Sequence, residues 1–266
     1  MAGPALITGA SSGIGKAFAQ RLAAAGHDLV VVGRRVDRLQ ALVNALPDAT
    51  VRVVAADLST DDGIDAVADI CASEPLTMLV NNAGVAHYMP MADLSASQAR
   101  ELIHVKTVAP TMLTRAALPG MIARGAGSIV NIAGMLAFSG PALAAPVQSQ
   151  RAIYTGTLAG TVATTQTLHA ELEGTGVGAH VVCPGIVATE FHEVQGMDLS
   201  ALPRMSAEDV VTATLSGVDQ GETIIAPGVE DDSLLAALFD AELAAFHGQS
   251  STLASRYRTH DGVHAT

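Results

Sequence analysis

The chain has no tryptophan, three tyrosines and five phenylalanines. That leaves little aromatic surface on which the bases of a single-stranded nucleic acid could stack. Basic residues are also scarce, with 14 Lys and Arg against 26 Asp and Glu, for a formal net charge of −12. Such a surface repels phosphate backbones and anionic lipid, so neither nucleic acid nor membrane is an expected partner. Cysteine occurs only at positions 71 and 183, each inside an apolar stretch. Both are expected as buried free thiols, which points to a reducing, cytoplasmic setting. No apolar run approaches the roughly 20 residues of a membrane helix. No secretory signal precedes the first strand, which is expected almost at Met1. His, Cys, Asp and Glu nowhere fall at metal-ligand spacing, so no metal site is expected.

What the chain does have is apolar residues, 49% of the total, chiefly small and aliphatic. That is ample for a sizeable core. Short apolar runs at 5–8, 28–33, 51–55, 78–81, 128–132, 179–183 and 223–226 read as strands. Helical patterns at 13–25, 36–45, 61–72, 95–124 and 151–174 separate them. Strand and helix in strict alternation predict an α/β fold, a Rossmann-type doubly wound parallel sheet with helices on both faces. A single domain over 1–247 is expected, followed by a tail over 248–266 without clear periodicity. Residues 190–205 read as a loop with room for a short helix, and Ser206 as the cap of the helix that follows.

The stretch TGASSGIG at 8–15 joins the first strand to the first helix. Gly9, Gly13 and Gly15 allow a sharp turn and a close approach to a pyrophosphate. Ser11, Ser12, Ile14 and the free N–H groups of the helix start complete an anion site. Strand–turn–helix is the context that makes a glycine triplet specific for a dinucleotide. Strand two ends in Gly33-Arg34-Arg35, where an acidic residue would favour NAD(H). Two guanidinium groups there match a 2′-phosphate, so NADP(H) is preferred over NAD(H).

With those residues in hand, the chain resembles the short-chain dehydrogenase/reductase family over roughly residues 4–230. The glycine turn, Asp57-Leu58, Asn81-Asn82-Ala83-Gly84 and Pro184-Gly185-Ile186-Val187-Ala188-Thr189 carry the resemblance, in order, at strand ends. The resemblance implies that Asp57 and Leu58 meet the adenine and that Asn81, Ala83 and Gly84 floor the cofactor. Pro184, Gly185, Val187 and Thr189 would flank the nicotinamide. It also implies a small-molecule substrate and a homodimer or homotetramer.

The catalytic positions depart from the family's pattern. Tyr154 stands at the family tyrosine, but Leu158 occupies the lysine position one helical turn later. Gly134 takes the serine position, and Lys106 the helix asparagine. Ser139 and Ser149 are the candidates to substitute for the missing serine. An unperturbed tyrosine, with a pKa of about 10, can donate a proton but is poor at accepting one. Lys106, one of only two lysines, is a candidate to supply the missing ammonium from across the site. The expected function is therefore an NADP(H)-dependent reductase or dehydrogenase acting on a small carbonyl or alcohol, with Tyr154 as proton donor. The alternatives are a non-redox dehydratase, isomerase or aldol-type lyase on the same fold, and a catalytically silent cofactor binder. His87, Glu190, His192 and Arg151 are further candidates to line the pocket.

Overall fold

The computed structural model describes residues 3–139 and 151–258. Seven parallel strands form one sheet: β1 (Ala5–Thr8), β2 (Leu29–Gly33), β3 (Val51–Ala55), β4 (Met78–Asn81), β5 (Gly127–Ile132), β6 (Val177–Val182) and β7 (Ile224–Ile225). Their spatial order is β3-β2-β1-β4-β5-β6-β7. β1 and β4 are buried at every position. Helices cover both faces, so the inner strands read as continuous apolar runs rather than alternating ones. β3, at the sheet edge, is the half-exposed exception.

Successive strand residues point to opposite faces and so feed two cores. Ile7, Val31, Val80 and Val130 pack in one layer, with Phe18 and Leu22 of α1 (Gly13–Ala24). Leu6, Val30, Leu79 and Ile129 pack in the other, with Val67 of α3 (Asp61–Ser73), and Leu113 and Met121 of a long helix described below. α2 is Val36–Asn44, between β2 and β3. The sheet order reverses at β1, whose neighbours are β2 and β4. A crevice for ligands opens at such a point, beyond the carboxyl ends of the strands.

The helix expected over 95–124 is instead three pieces: α4 (Ala96–Ile103), a π turn (His104–Val108) and α5 (Ala109–Arg124). Pro110 has no N–H to return to the carbonyl of residue 106, which removes one regular rung at the position where the helix widens. The helix begins in a capping box. Ser95 Oγ accepts from Gln98 N at 3.2 Å, and Gln98 Oε1 accepts from Ser95 N at 3.1 Å. Ser95→Ala is expected to lower unfolding stability by about 1 kcal/mol, read as a shift in the urea midpoint at constant slope.

α6 (Ala152–Glu171) follows β5, and the four-residue α7 (Phe191–Val194) follows β6. α8 (Ala207–Gln220) is capped by Ser206, as expected. Residues up to Gly228 form one compact unit that holds the whole sheet. From Val229 onward a second unit holds α9 (Ser233–His247), which the sequence pattern did not reveal. Its N-cap, Asp232, makes no side-chain capping bond, and Asp231 Oδ1 instead accepts from Ser233 N at 3.1 Å. Among the described residues no helix is long and apolar enough to cross a membrane, and no His, Cys, Asp and Glu group could hold a metal ion. Cys71 and Cys183 are free and buried.

Candidate active site

Thr8, at the end of β1, ties that strand to β4. Its hydroxyl accepts from the N–H groups of Asn82 and Ala83, both at 3.0 Å. Asn82 Nδ2 donates to Thr8 O at 2.9 Å, so its side chain locks the start of the glycine turn. The turn has no space for larger residues. Gly9 has φ +68°, and a Cβ on Gly15 would meet Asn82 Nδ2 at 2.4 Å and Gly9 O at 2.5 Å. Ser12 is the N-cap of α1, yet its side chain makes no capping bond. The first-turn N–H groups are thus left for an anion, as a dinucleotide pyrophosphate requires.

The Ser11 and Ser12 hydroxyls turn to Arg35 instead. Arg35 Nη2 donates to Ser11 Oγ at 2.9 Å and Ser12 Oγ at 2.8 Å, and Nε donates to Ser11 Oγ at 3.2 Å. Arg35 Nη1 also reaches Glu190 Oε1, while Arg38 Nη1 reaches Glu190 Oε2, each at 2.5 Å. Partial burial pushes the Glu190 carboxyl up. Hydrogen bonds from Arg38, Arg35 and Ser12, with the Arg35 charge, outweigh it and hold the group at about 2. Arg34 points elsewhere, 3.6 Å from Glu101, with 57% of its side chain exposed. The structure thus gathers Arg35 and Arg38 with the serines, and not the adjacent pair Arg34 and Arg35. Burial raises the Asp57 carboxyl, but two bonds from Ser59 and the charge of Arg34 bring it below its ordinary value. A cleft of about 660 Å³ lies beside the serines, bordered by Lys16, Arg38, Thr189 and Glu190.

Tyr154 sits in the first turn of α6, almost wholly buried. Its ring packs edge-on against Tyr88, with centroids 5.1 Å apart. Burial first, and then the Tyr88 hydroxyl, push the Tyr154 phenol well above its ordinary value, while the Arg151 charge pulls the other way. Burial also raises Tyr88, against the pull of Tyr154 and Arg151. Arg151 Nε is buried without a hydrogen-bond partner among the described residues. Lys106, in the π turn, is buried, and its Nζ donates to Ile132 O at 3.2 Å. Burial alone brings its ammonium down to about 8. Its Nζ lies 3.5 Å from where a Cβ on Gly84 would stand. Asn81 turns its side chain inward, donating to Asn131 at 2.9 Å and Thr114 at 3.1 Å. Thr189 closes over the glycine turn, its methyl 3.0 Å from a Cβ placed on Gly13.

Comparison with known proteins identifies the family and the fold. Residues 4–199 match the model of the short chain dehydrogenase family. The chain belongs to the short-chain dehydrogenase/reductase family. It is 31% identical over 220 residues to an uncharacterised oxidoreductase of Staphylococcus epidermidis, covering 81% of this chain and 90% of that one. A short-chain dehydrogenase from Sphingobium yanoikuyae in complex with NADPH superposes with TM-score 0.89 at 32% identity, covering 96% of this chain and 99% of the other. The bulky-bulky ketone specific alcohol dehydrogenase from Comamonas testosteroni superposes with TM-score 0.85 at 30% identity, covering 96% and 98%. This short-chain dehydrogenase is thus an NAD(P)-dependent oxidoreductase on a Rossmann-type sheet.

Within this short-chain dehydrogenase, Gly134 and Leu158 are neighbours. A Cβ on Gly134 would lie 3.6 Å from Leu158 Cδ1. The contact is apolar, at the two positions where the sequence reading expects the family's serine and lysine. Ser139 is engaged locally, donating to Leu136 O at 2.9 Å, and Ser149 lies outside the described residues. His87 pairs with Glu101 at 2.9 Å. The ring of His192 lies parallel to that of Tyr88, centroids 6.3 Å apart. Pattern reasoning missed Tyr88, which is 66 residues from Tyr154 and in a loop, and carries no motif of its own. It also left open the part played by Glu190, whose partners lie more than 150 residues away.

Proposed function

We propose that this short-chain dehydrogenase is an NADP(H)-dependent carbonyl reductase in which Tyr154 donates the proton. The observation that carries the proposal is the placement of Tyr154, buried in the first turn of α6 with its ring 5.1 Å from that of Tyr88, where burial favours the protonated phenol. A group held in its acid form suits delivery of a proton to a carbonyl oxygen. The reduced nicotinamide, when bound, supplies the hydride to the carbonyl carbon. The chain's own part is to hold the cofactor and to give the Tyr154 hydroxyl proton to the oxygen as negative charge develops on it. The phenolate left behind is stabilised by the Arg151 charge, which supplies part of what the family lysine would. Lys106 adds a second cation, set under Gly84 and Ile132 on the cofactor floor.

The glycine turn and the uncapped N-terminus of α1 suit a pyrophosphate. Arg35, braced by Ser11 and Ser12, and Arg38 beside it suit a 2′-phosphate. The NADPH complex of the Sphingobium relative supports the same cofactor, and the ketone-specific Comamonas enzyme supports a ketone as substrate. The apolar Gly134–Leu158 contact favours, as the second reading, a step that uses no lysine-activated tyrosine and no redox change.

Fluorescence titration with NADPH and NADH, followed by a ketone panel read at the nicotinamide absorbance, tests the proposal. Tighter binding of NADPH and its stoichiometric oxidation are expected. Turnover without oxidation would select the second reading. Arg35→Ala is expected to weaken NADPH binding about tenfold, with NADH binding changed less than about twofold.

A further inference from the structure

Glu190 follows Thr189, which packs on the glycine turn, and precedes Phe191, whose ring lies 3.6 Å from where a Cβ on Gly84 would stand. The residue is thus tethered between two parts of the cofactor floor. From there its carboxylate reaches back to the end of β2 and divides its oxygens, Oε1 to Arg35 and Oε2 to Arg38. These are the same guanidinium groups that a 2′-phosphate would need. All three side chains are partly shielded, with 28% of Glu190, 38% of Arg35 and 46% of Arg38 exposed.

We propose, on the basis of the NADP(H) reading above, that Glu190 is an internal competitor for the 2′-phosphate and so determines the cofactor discrimination of this site. Two guanidinium groups carry two positive charges, which one carboxylate half neutralises. A phosphate dianion arriving with Glu190 still in place would leave the cluster with an excess of negative charge. It must therefore displace the carboxylate, and the work of breaking its bonds to Arg35, Arg38 and Ser12 is subtracted from its affinity. An unphosphorylated ribose asks for no such displacement. Its 2′-hydroxyl can donate to a carboxylate, the role an acidic residue at the end of strand two plays in NAD-binding sites. Glu190 supplies that acid from a remote segment and narrows the preference for NADP(H).

Displacement has a further consequence. Releasing Glu190 frees residues 189–191 from the β2 side of the site, so recognition of the 2′-phosphate is coupled to the segment that packs on Gly13 and Gly84.

The test is the dissociation constant of NADPH and of NADH for the wild type and for Glu190→Gln, which keeps the size of the side chain and removes its charge. The expected result is a shift of the NADPH-to-NADH affinity ratio toward NADPH by about tenfold, with NADPH binding tighter than in the wild type. An unchanged ratio would overturn the competitor role. So would a shift toward NADH, because it would show Glu190 holding the arginines in place for the phosphate. The wild-type ratio alone tests the cofactor reading, so a wild type that favours NADH would count against that reading and leave the effect of the substitution to decide the role of Glu190.

Discussion

Tyr154→Phe is expected to lower ketone reduction by roughly a thousandfold while changing the NADPH dissociation constant less than about twofold. The substitution keeps the buried ring packed edge-on against Tyr88 and removes one oxygen together with its hydrogen bond to Tyr88, a cost to stability of about 1 kcal/mol that leaves the cofactor site in place. On the proposed reading the change acts on the chemistry, because Tyr154 carries the one hydroxyl among positions 106, 134, 154 and 158. Gly134 and Leu158 fill two of those positions with apolar contact, and Ser139 is bonded to its own turn. The pH dependence of the wild type follows from the same group. Burial and Tyr88 push the phenol well above its ordinary value, so the group proposed as donor keeps its proton through neutral and mildly alkaline solution. Reduction is therefore expected to be flat with pH across that range. Alcohol oxidation needs the phenolate, and is expected to be slow at neutral pH and to climb through alkaline solution without a plateau below about pH 10. Steady-state rates in both directions check this. A Phe variant that reduces ketones at the wild-type rate would remove Tyr154 from the reaction.

A second large effect is expected in stability. Burial brings the Lys106 ammonium from its ordinary 10.5 down to about 8, so the folded chain releases this proton before the unfolded chain does. Between those two values the unfolded state holds the extra proton, and stability therefore rises with pH. Below about pH 8 both states are protonated, and the fold bears the full penalty of a buried charge, about 3 kcal/mol. Lys106→Met keeps most of the stem and removes the charge. The wild type is thus expected to gain about 3 kcal/mol relative to the variant as pH is raised from 8 to 10.5. Loss of the bond to Ile132 O offsets the two curves without altering that slope. Urea unfolding of both proteins across this range reads the difference directly, and parallel curves would show that the ammonium is hydrated in the folded protein.

The sheet was legible in the sequence because the inner strands are buried on both faces and leave unbroken apolar runs. The edge strand β7 is the weakest case, two residues where the pattern suggested four. The glycine turn was legible because its three glycines are required by contacts within one short segment, with Asn82 and Thr8 as the partners across the strand ends. The π turn was not. It depends on a hydrogen bond that Pro110 cannot make, and a periodic apolar pattern continues across it. The charge arrangement was partly legible. Two arginines after β2 announced an anion site, but folding chose Arg35 and Arg38, which α2 places on one side, while Arg34 meets Glu101. Tyr88 and Glu190 acquire their partners only through tertiary structure, across separations at which no local spacing carries information.

Hydride tracing tests the central claim most directly. The protein is incubated with NADPH deuterated at the transferable position and a bulky ketone, and the product is examined by mass spectrometry. A secondary alcohol carrying one deuterium at the former carbonyl carbon, formed in step with NADP⁺, is the expected result. Conversion of a substrate with no deuterium transferred and the NADPH unconsumed would contradict the reductase and establish a non-redox enzyme on the same fold.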